Sequence, residues 1–233
     1  MLILFDIDGT ILLTHGAGVH AMQDAGRELF GPEFVFDGIE TSGRLDPLIW
    51  RDLAERNGID DPGSHHNAFR QAYRKYLSRR LTDNPQTQLL PGVRPLVDSL
   101  SEQEHITVGL LTGNYPETGQ IKLSAAGLPQ NLFEVAAWGC DGPTRRDLPP
   151  VAMQRYAEVR GTRVAAESVL IIGDTPHDVD CAKFHGCRVI GVGTGRFTTA
   201  QLLESGADHA LETLEQTGEV LDWILKTPDP VAE

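Results

Sequence analysis

Residues 2–5, Leu-Ile-Leu-Phe, form an unbroken apolar run that ends at Asp6, and a second carboxylate follows at Asp8, ahead of Gly9 and Thr10. An apolar run without polar alternation suits a central strand of a parallel sheet, covered on both faces. Such a strand delivers whatever follows it to the carboxyl edge, where open α/β sheets hold their ligands. Side chains alternate along a strand, so Asp6 and Asp8 start on one side, and Gly9 permits a sharp turn that lets both converge on one point. Two carboxylates this close repel each other unless a cation or a shared proton intervenes. The pair therefore implies a hard metal ion, acid/base chemistry, or both.

The same arrangement recurs twice. Residues 106–111 are an apolar run followed by Thr112, Gly113 and Asn114, and residues 168–173 run into Asp174, with Asp178 four positions on. Helices are expected at 92–103, 116–126, 149–160, 177–185, 199–205 and 212–225, alternating with strands at 106–111, near 135–138, 168–173 and 188–192. This alternation means right-handed crossovers and a parallel sheet. Between the first strand and this series the character changes. Apolar spacing predicts helices at 17–30, 46–56 and 62 to about 81, with Gly31-Pro32 and Asn57-Gly58 as stops and Asn84-Pro85 closing the segment. The expected class is α/β: a three-layer Rossmann-like core with a parallel sheet (residues 1–13 and 88–233) and an inserted helical module (14–87).

Twenty basic against 33 acidic residues give a formal charge of −13, which disfavours nucleic acid or an anionic membrane as partner while leaving room for a local basic pocket. Cys140, Cys181 and Cys187 are widely spaced and suggest neither a disulfide framework nor structural zinc. With no basic leader segment and no membrane-spanning apolar stretch, a cytoplasmic setting is expected. His15, His20 and His177 are expected in surface or packing roles.

Phe-Asp-Ile-Asp-Gly-Thr at 5–10 resembles the first signature of the haloacid dehalogenase superfamily, in its phosphatase branch. Thr112 is similar to the second signature, and Gly-Asp-x-x-x-Asp at 173–178 to the fourth. The helical insert resembles the cap of the phosphoglycolate-phosphatase-like branch. The resemblance implies Asp6 as nucleophile and Asp8 as the acid that protonates the leaving group and then activates water. It implies Mg²⁺ held by Asp6, the backbone carbonyl of Asp8 and Asp174, with Asp178 orienting a metal-bound water. Gly9, Thr112, Gly113 and Asn114 would line the phosphate. An aspartate at position 8 further implies transfer mainly to water.

The third signature, normally a lysine before Pro-x-Pro, has no lysine here. Aligning Pro149 with its second proline puts Arg146 on the lysine position, with Arg145 as the alternative one register earlier. Residues 40–46, Glu-Thr-Ser-Gly-Arg-Leu-Asp, resemble the cap segment Gly-x-Thr-Asp, and Arg44 in it is a candidate clamp for an anionic part of the substrate. The expected activity is hydrolysis of a small-molecule phosphate ester, phosphoglycolate being the first candidate. A phosphomutase and a catalytically weak phosphate-binding protein are the alternatives. Nothing in the sequence fixes an oligomeric state.

Overall fold

The computed structural model describes residues 1–83 and 87–226. The chain opens with β1 (Leu2–Phe5) and the short β2 (Leu12–Leu13), and then enters the helices α1 (Ala17–Phe30), α2 (Asp46–Arg56) and α3 (Pro62–Asp83). It returns through β3 (Gln88–Leu89), α4 (Val93–Ser101), β4 (Thr107–Leu111), α5 (Pro116–Ala125), β5 (Val135–Ala137) and α6 (Leu148–Arg160). The remainder is β6 (Val169–Gly173), α7 (Pro176–Phe184), β7 (Arg188–Val192), α8 (Thr199–Glu204), β8 (His209–Leu211) and α9 (Thr217–Lys226).

Six strands form one sheet in the order β5-β4-β1-β6-β7-β8, all pairs parallel. Strand β1 is central, and its four residues divide strictly by parity. Ile3 and Phe5 enter one apolar layer with Val93, Leu96 and Val97 of α4, Leu123 of α5 and Val220 and Ile224 of α9. Leu2 and Leu4 enter the other with Leu148 and Ala152 of α6, Val179 and Ala182 of α7 and Leu202 of α8. All four are wholly buried, which at ~1.5–3 kcal/mol for each large apolar side chain explains why no polar residue interrupts the run. Chain order reverses direction across the sheet at β1, so the ends of β4, β1 and β6 meet at one switch point, the crevice where open sheets bind ligands.

Helices α1, α2 and α3 bury a core of their own, in which Trp50 stacks on Phe69 at 4.2 Å between centroids beside Phe34, Leu53 and Tyr73. Tyr115, just ahead of α5, inserts into that core from the sheet side, its hydroxyl 2.7 Å from His66 Nε2. Arg70 of α3 pairs with Glu117 of α5 nearby. The antiparallel ribbon of β2 and β3 joins the helical insert to the rest. The expected stop at Asn84-Pro85 lies outside the described residues.

The last helix starts later than its apolar spacing predicts, at Thr217 instead of residue 212. Leu214 leaves the helical path to enter the core. Its carbonyl lies so close to Gly92 that a Cβ there would come within 1.9 Å of it, and Gly92 also holds a φ of +80°. Among the described residues no helix is long and apolar enough to cross a membrane.

Candidate active site

Asp6 follows β1 directly, its backbone N–H donating to Ile172 O at 2.9 Å, so the sheet ladder continues up to the carboxylate. The chain then turns: Ile7 O accepts from Ile11 and Leu12, and Gly9 takes a φ of +82°. A side chain at Gly9 would meet Asp174, because a Cβ would stand 2.3 Å from Asp174 Oδ2. The glycine is therefore required twice, for its dihedral and for the approach of β1's loop to the end of β6. Thr10 Oγ1 donates to Asp174 Oδ1 at 3.2 Å, and Thr194 Oγ1 to Gly9 O at 2.5 Å. The glycine-rich loop after β7 thus closes the same cleft, where Gly195 would clash with Asp174 if it carried a Cβ.

Asp6, Asp174 and Asp178 bring one carboxylate oxygen each within 4.8 Å of the others, all three buried. Burial pushes the Asp6 carboxyl up to about 6; Arg145 opposes the shift, and Asp178 and Asp8 add to it. The Asp174 carboxyl is held well above its ordinary range by burial and by its neighbours Asp178 and Asp6. Such crowding of acids in a low-dielectric crevice is the situation a divalent cation relieves. An all-oxygen donor set fits a hard ion such as Mg²⁺.

Asp178 is fixed by the cap of α7. Its Oδ2 accepts from the Thr175 hydroxyl at 2.6 Å and the Thr175 N–H at 3.0 Å, while Oδ1 accepts from Arg145 Nη2 at 2.5 Å. Each oxygen of this carboxylate therefore has a protein donor.

The cation beside Asp6 is Arg145. It is buried, with Nη2 3.3 Å from Asp6 Oδ2, and Nη1 donates to Gly43 O at 3.1 Å. Burial works against its charge, but Asp178 and Asp6 outweigh that and raise its pKa above arginine's ordinary value. Arg146, which the proline alignment favours, lies on the surface instead. It makes a two-point ion pair with Asp180 at 2.8 and 2.6 Å and stacks on the Phe184 ring. The correction has a local cause. Residues Arg145–Asp147 form a 3₁₀ turn capped reciprocally by Thr144 and Asp147, and consecutive residues of such a turn point about 120° apart. Only one of the two arginines can face the cleft, and the cap sets the register in favour of Arg145.

Thr112 follows β4 with its N–H bonded to Ala137 O, and its hydroxyl accepts from Asn114 Nδ2 at 2.8 Å. Gly113 is pressed against the insert: a Cβ would stand 2.0 Å from Arg44 O. Gly113 O accepts from the Asp46 N–H at 2.7 Å, and Asp46 Oδ2 accepts from the Tyr115 N–H at 2.9 Å. The segment 43–46 is thereby docked across the mouth of the crevice. Asp46 is itself buried, and its carboxyl is pushed up to about 6 by desolvation in spite of the nearby Lys122 ammonium.

Arg44 lines the resulting cleft, a space of about 350 Å³, together with Asp6, Asp8, Thr112 and the insert residues Val19, Met22, Ile49 and Tyr73. Its guanidinium is paired with Asp52 at 2.6 Å. His15 and His20 are exposed near the hinge, and His177 is exposed at the start of α7.

One member of the cleft escaped the sequence reading. Lys122 of α5 is buried, with Nζ 2.6 Å from both Asp8 Oδ2 and Asn114 Oδ1. Its signal lay in its position: Thr118, Gly119, Lys122 and Leu123 share the buried face of α5, and a lysine spaced to face a sheet must have an acid waiting for it.

Residues 3–192 match the family model described as haloacid dehalogenase-like hydrolase. The chain belongs to that family. Two curated relatives, both phosphoglycolate phosphatases, come from Synechococcus elongatus and Vibrio parahaemolyticus. The first is 26% identical over 99% of this chain and 95% of the relative, the second 25% identical over 94% and 95%. The family membership and these relatives make the chain a phosphatase-type hydrolase. Among solved structures, a hydrolase from Pseudomonas syringae superposes with a TM-score of 0.73 at 22% identity, covering 96% of this chain and 99% of that one. CbbY from Rhodobacter sphaeroides, solved in complex with phosphate, superposes at 0.71 with 19% identity, covering 93% and 96%. These likenesses confirm the α/β fold, and the haloacid dehalogenase-like hydrolase keeps its acids at the sheet's switch point.

Proposed function

We propose that the chain is a Mg²⁺-dependent phosphomonoesterase that works through an aspartyl-phosphate on Asp6, with residues 14–87 acting as a cap over the cleft. The observation that carries this reading is the buried triad Asp6, Asp174 and Asp178 standing next to a single buried arginine. A bound Mg²⁺ would be held by Asp6 and Asp174, with the Asp8 carbonyl and an Asp178-oriented water, and would neutralise phosphate charge.

In the first step Asp6 forms a bond from its carboxylate oxygen to phosphorus, the ester P–O bond breaks, and the Asp8 proton passes to the leaving alkoxide. In the second step Asp8, now a carboxylate, takes a proton from water as the water oxygen bonds phosphorus and the bond to Asp6 breaks. Together the two steps return Asp6 and Asp8 to the state in which they began. Arg145 offsets the charge of nucleophile and phosphate, and its Nε–H, buried without a protein partner, is a donor left over for an anion. The Thr112 hydroxyl and the amides of Gly113 and Asn114 supply further donors. With a buried cation beside Asp6, the lack of a motif lysine no longer argues for a non-catalytic binding protein.

Phosphoglycolate is the first substrate to try, on the strength of the two curated relatives, with Arg44 as the candidate contact for its carboxylate. The test is phosphate release from a panel of phosphorylated metabolites, with Mg²⁺ or with a chelator. Release is expected with Mg²⁺ and is expected to fall to background with chelator, restored by excess metal. Chelator-resistant turnover would contradict the metal assignment. A sugar-phosphate isomer formed in place of free phosphate would favour the phosphomutase reading.

A further inference from the structure

Lys122 has no part in the two steps as written, yet burying its ammonium is costly unless its protons are well used. Two of them are directed at the acid/base apparatus. Nζ lies 2.6 Å from Asp8 Oδ2 and 2.6 Å from Asn114 Oδ1, and Asn114 Nδ2 donates to the same Asp8 oxygen at 2.8 Å. Lysine, asparagine and aspartate thus close a triangle of hydrogen bonds on Asp8 Oδ2. The Asp8 side chain is otherwise looser than the buried acids around it, 43% exposed, whereas that of Asp6 is 6% and that of Asp178 is 0% exposed.

Buried Asp46, from the docked segment of the insert, places a second negative charge where it feels the Lys122 ammonium. Among the described residues the cleft holds two buried cations whose ion pairs are separate: Arg145 serves Asp6 and Asp178, and Lys122 serves Asp8.

We propose that Lys122 is the positioning residue for Asp8, holding Oδ2 so that Oδ1 is the atom that gives its proton to the leaving group and later takes one from water. This rests on the reading of Asp8 as acid/base above. It acts through Asp8, so its loss matters most where proton transfer matters most.

The test is a double-mutant cycle of Lys122→Met and Asp8→Asn, read with an alkyl phosphate and with p-nitrophenyl phosphate, whose leaving group departs without a proton. Lys122→Met is expected to lower kcat on the alkyl ester about a hundredfold, the lower end of what positioned acid/base groups supply, with KM changed far less. The rate of the phosphoenzyme burst from the aryl ester is expected to stay within severalfold of wild type. On the alkyl ester the double variant is expected to be no slower than Asp8→Asn alone. Equal losses on the two esters, additive losses in the cycle, or an unchanged Lys122→Met enzyme would each overturn the proposal. Should Lys122→Met fold poorly, Lys122→Gln, which keeps a donor without the charge, is read in the same cycle. A wild-type enzyme that releases no phosphate would refute the phosphatase reading itself, a result distinct from any of these.

Discussion

Asp6→Asn is expected to abolish phosphate release, by at least about a thousandfold in kcat, while leaving the fold as stable as before or more so. Both halves follow from the same crowding. Removing the nucleophile of a covalent mechanism typically costs several powers of ten. The native Asp6 carboxyl, pushed up to about 6 mainly by burial, is at its most costly when ionised. A carboxyl whose folded pKa is raised contributes stability that is fully present below its unfolded value, near 3.8, and that is lost as pH rises through about 6. At pH 8 without metal the wild type has lost that contribution, on the order of 3 kcal/mol for a shift of about two units. The asparagine carries no such penalty, so the variant is expected to gain on wild type in urea unfolding from pH 4 to pH 8, and the gain should shrink when Mg²⁺ is added to both. A variant that is both inactive and markedly less stable at pH 8 would contradict this picture of the cleft.

The two adjacent arginines give the second large contrast. Arg145→Ala removes the cation paired with Asp6 and Asp178 and leaves three buried carboxylates facing one another. Breaking a buried charge pair from one side costs ~3–5 kcal/mol, which for a chain of this size lowers Tm by roughly 6–20 °C. Turnover should fall at least about a hundredfold, as when one donor to a developing oxyanion is lost. Arg146→Ala breaks a half-exposed pair with Asp180, worth at most about 1 kcal/mol, and activity should stay close to wild type. Thermal melts and phosphate release for the two variants side by side decide the matter. Equal effects, or a larger effect at Arg146, would restore the proline-based alignment.

That contrast also shows where the sequence could be read and where it could not. The three largely apolar runs that lead into Asp6, Thr112 and Asp174 announce central strands of a parallel sheet because both faces are covered, and a polar residue within them, Thr107, is buried only with a partner, Arg160; the residues that follow the runs fall where the topology reverses. The choice between Arg145 and Arg146 depends on the cap of a three-residue turn, Thr144 with Asp147, which a proline alignment does not register. Lys122 was missed because a lysine on a helix is normally solvated, and its partner Asp8 lies 114 residues away. The late start of α9 has a similar origin. Leu214 fits a helical stripe by spacing, but the close approach of Gly92 to its carbonyl is a tertiary contact that overrides the spacing. Arg44 could be read as a clamp for an anionic substrate, whereas its pairing with Asp52, eight residues on at 2.6 Å, becomes visible only once α2 is built.

The covalent role of Asp6 is tested most directly by trapping the intermediate. The Asp8→Asn enzyme, mixed with Mg²⁺ and p-nitrophenyl phosphate, quenched in acid within its first turnover and digested, is to be mapped by mass spectrometry. The mechanism predicts one acid-stable, hydroxylamine-labile phosphoryl group on the peptide that contains Asp6, formed in step with the burst of nitrophenol. A burst with no phosphorylated peptide, or a phosphoryl group on any other residue, would contradict it.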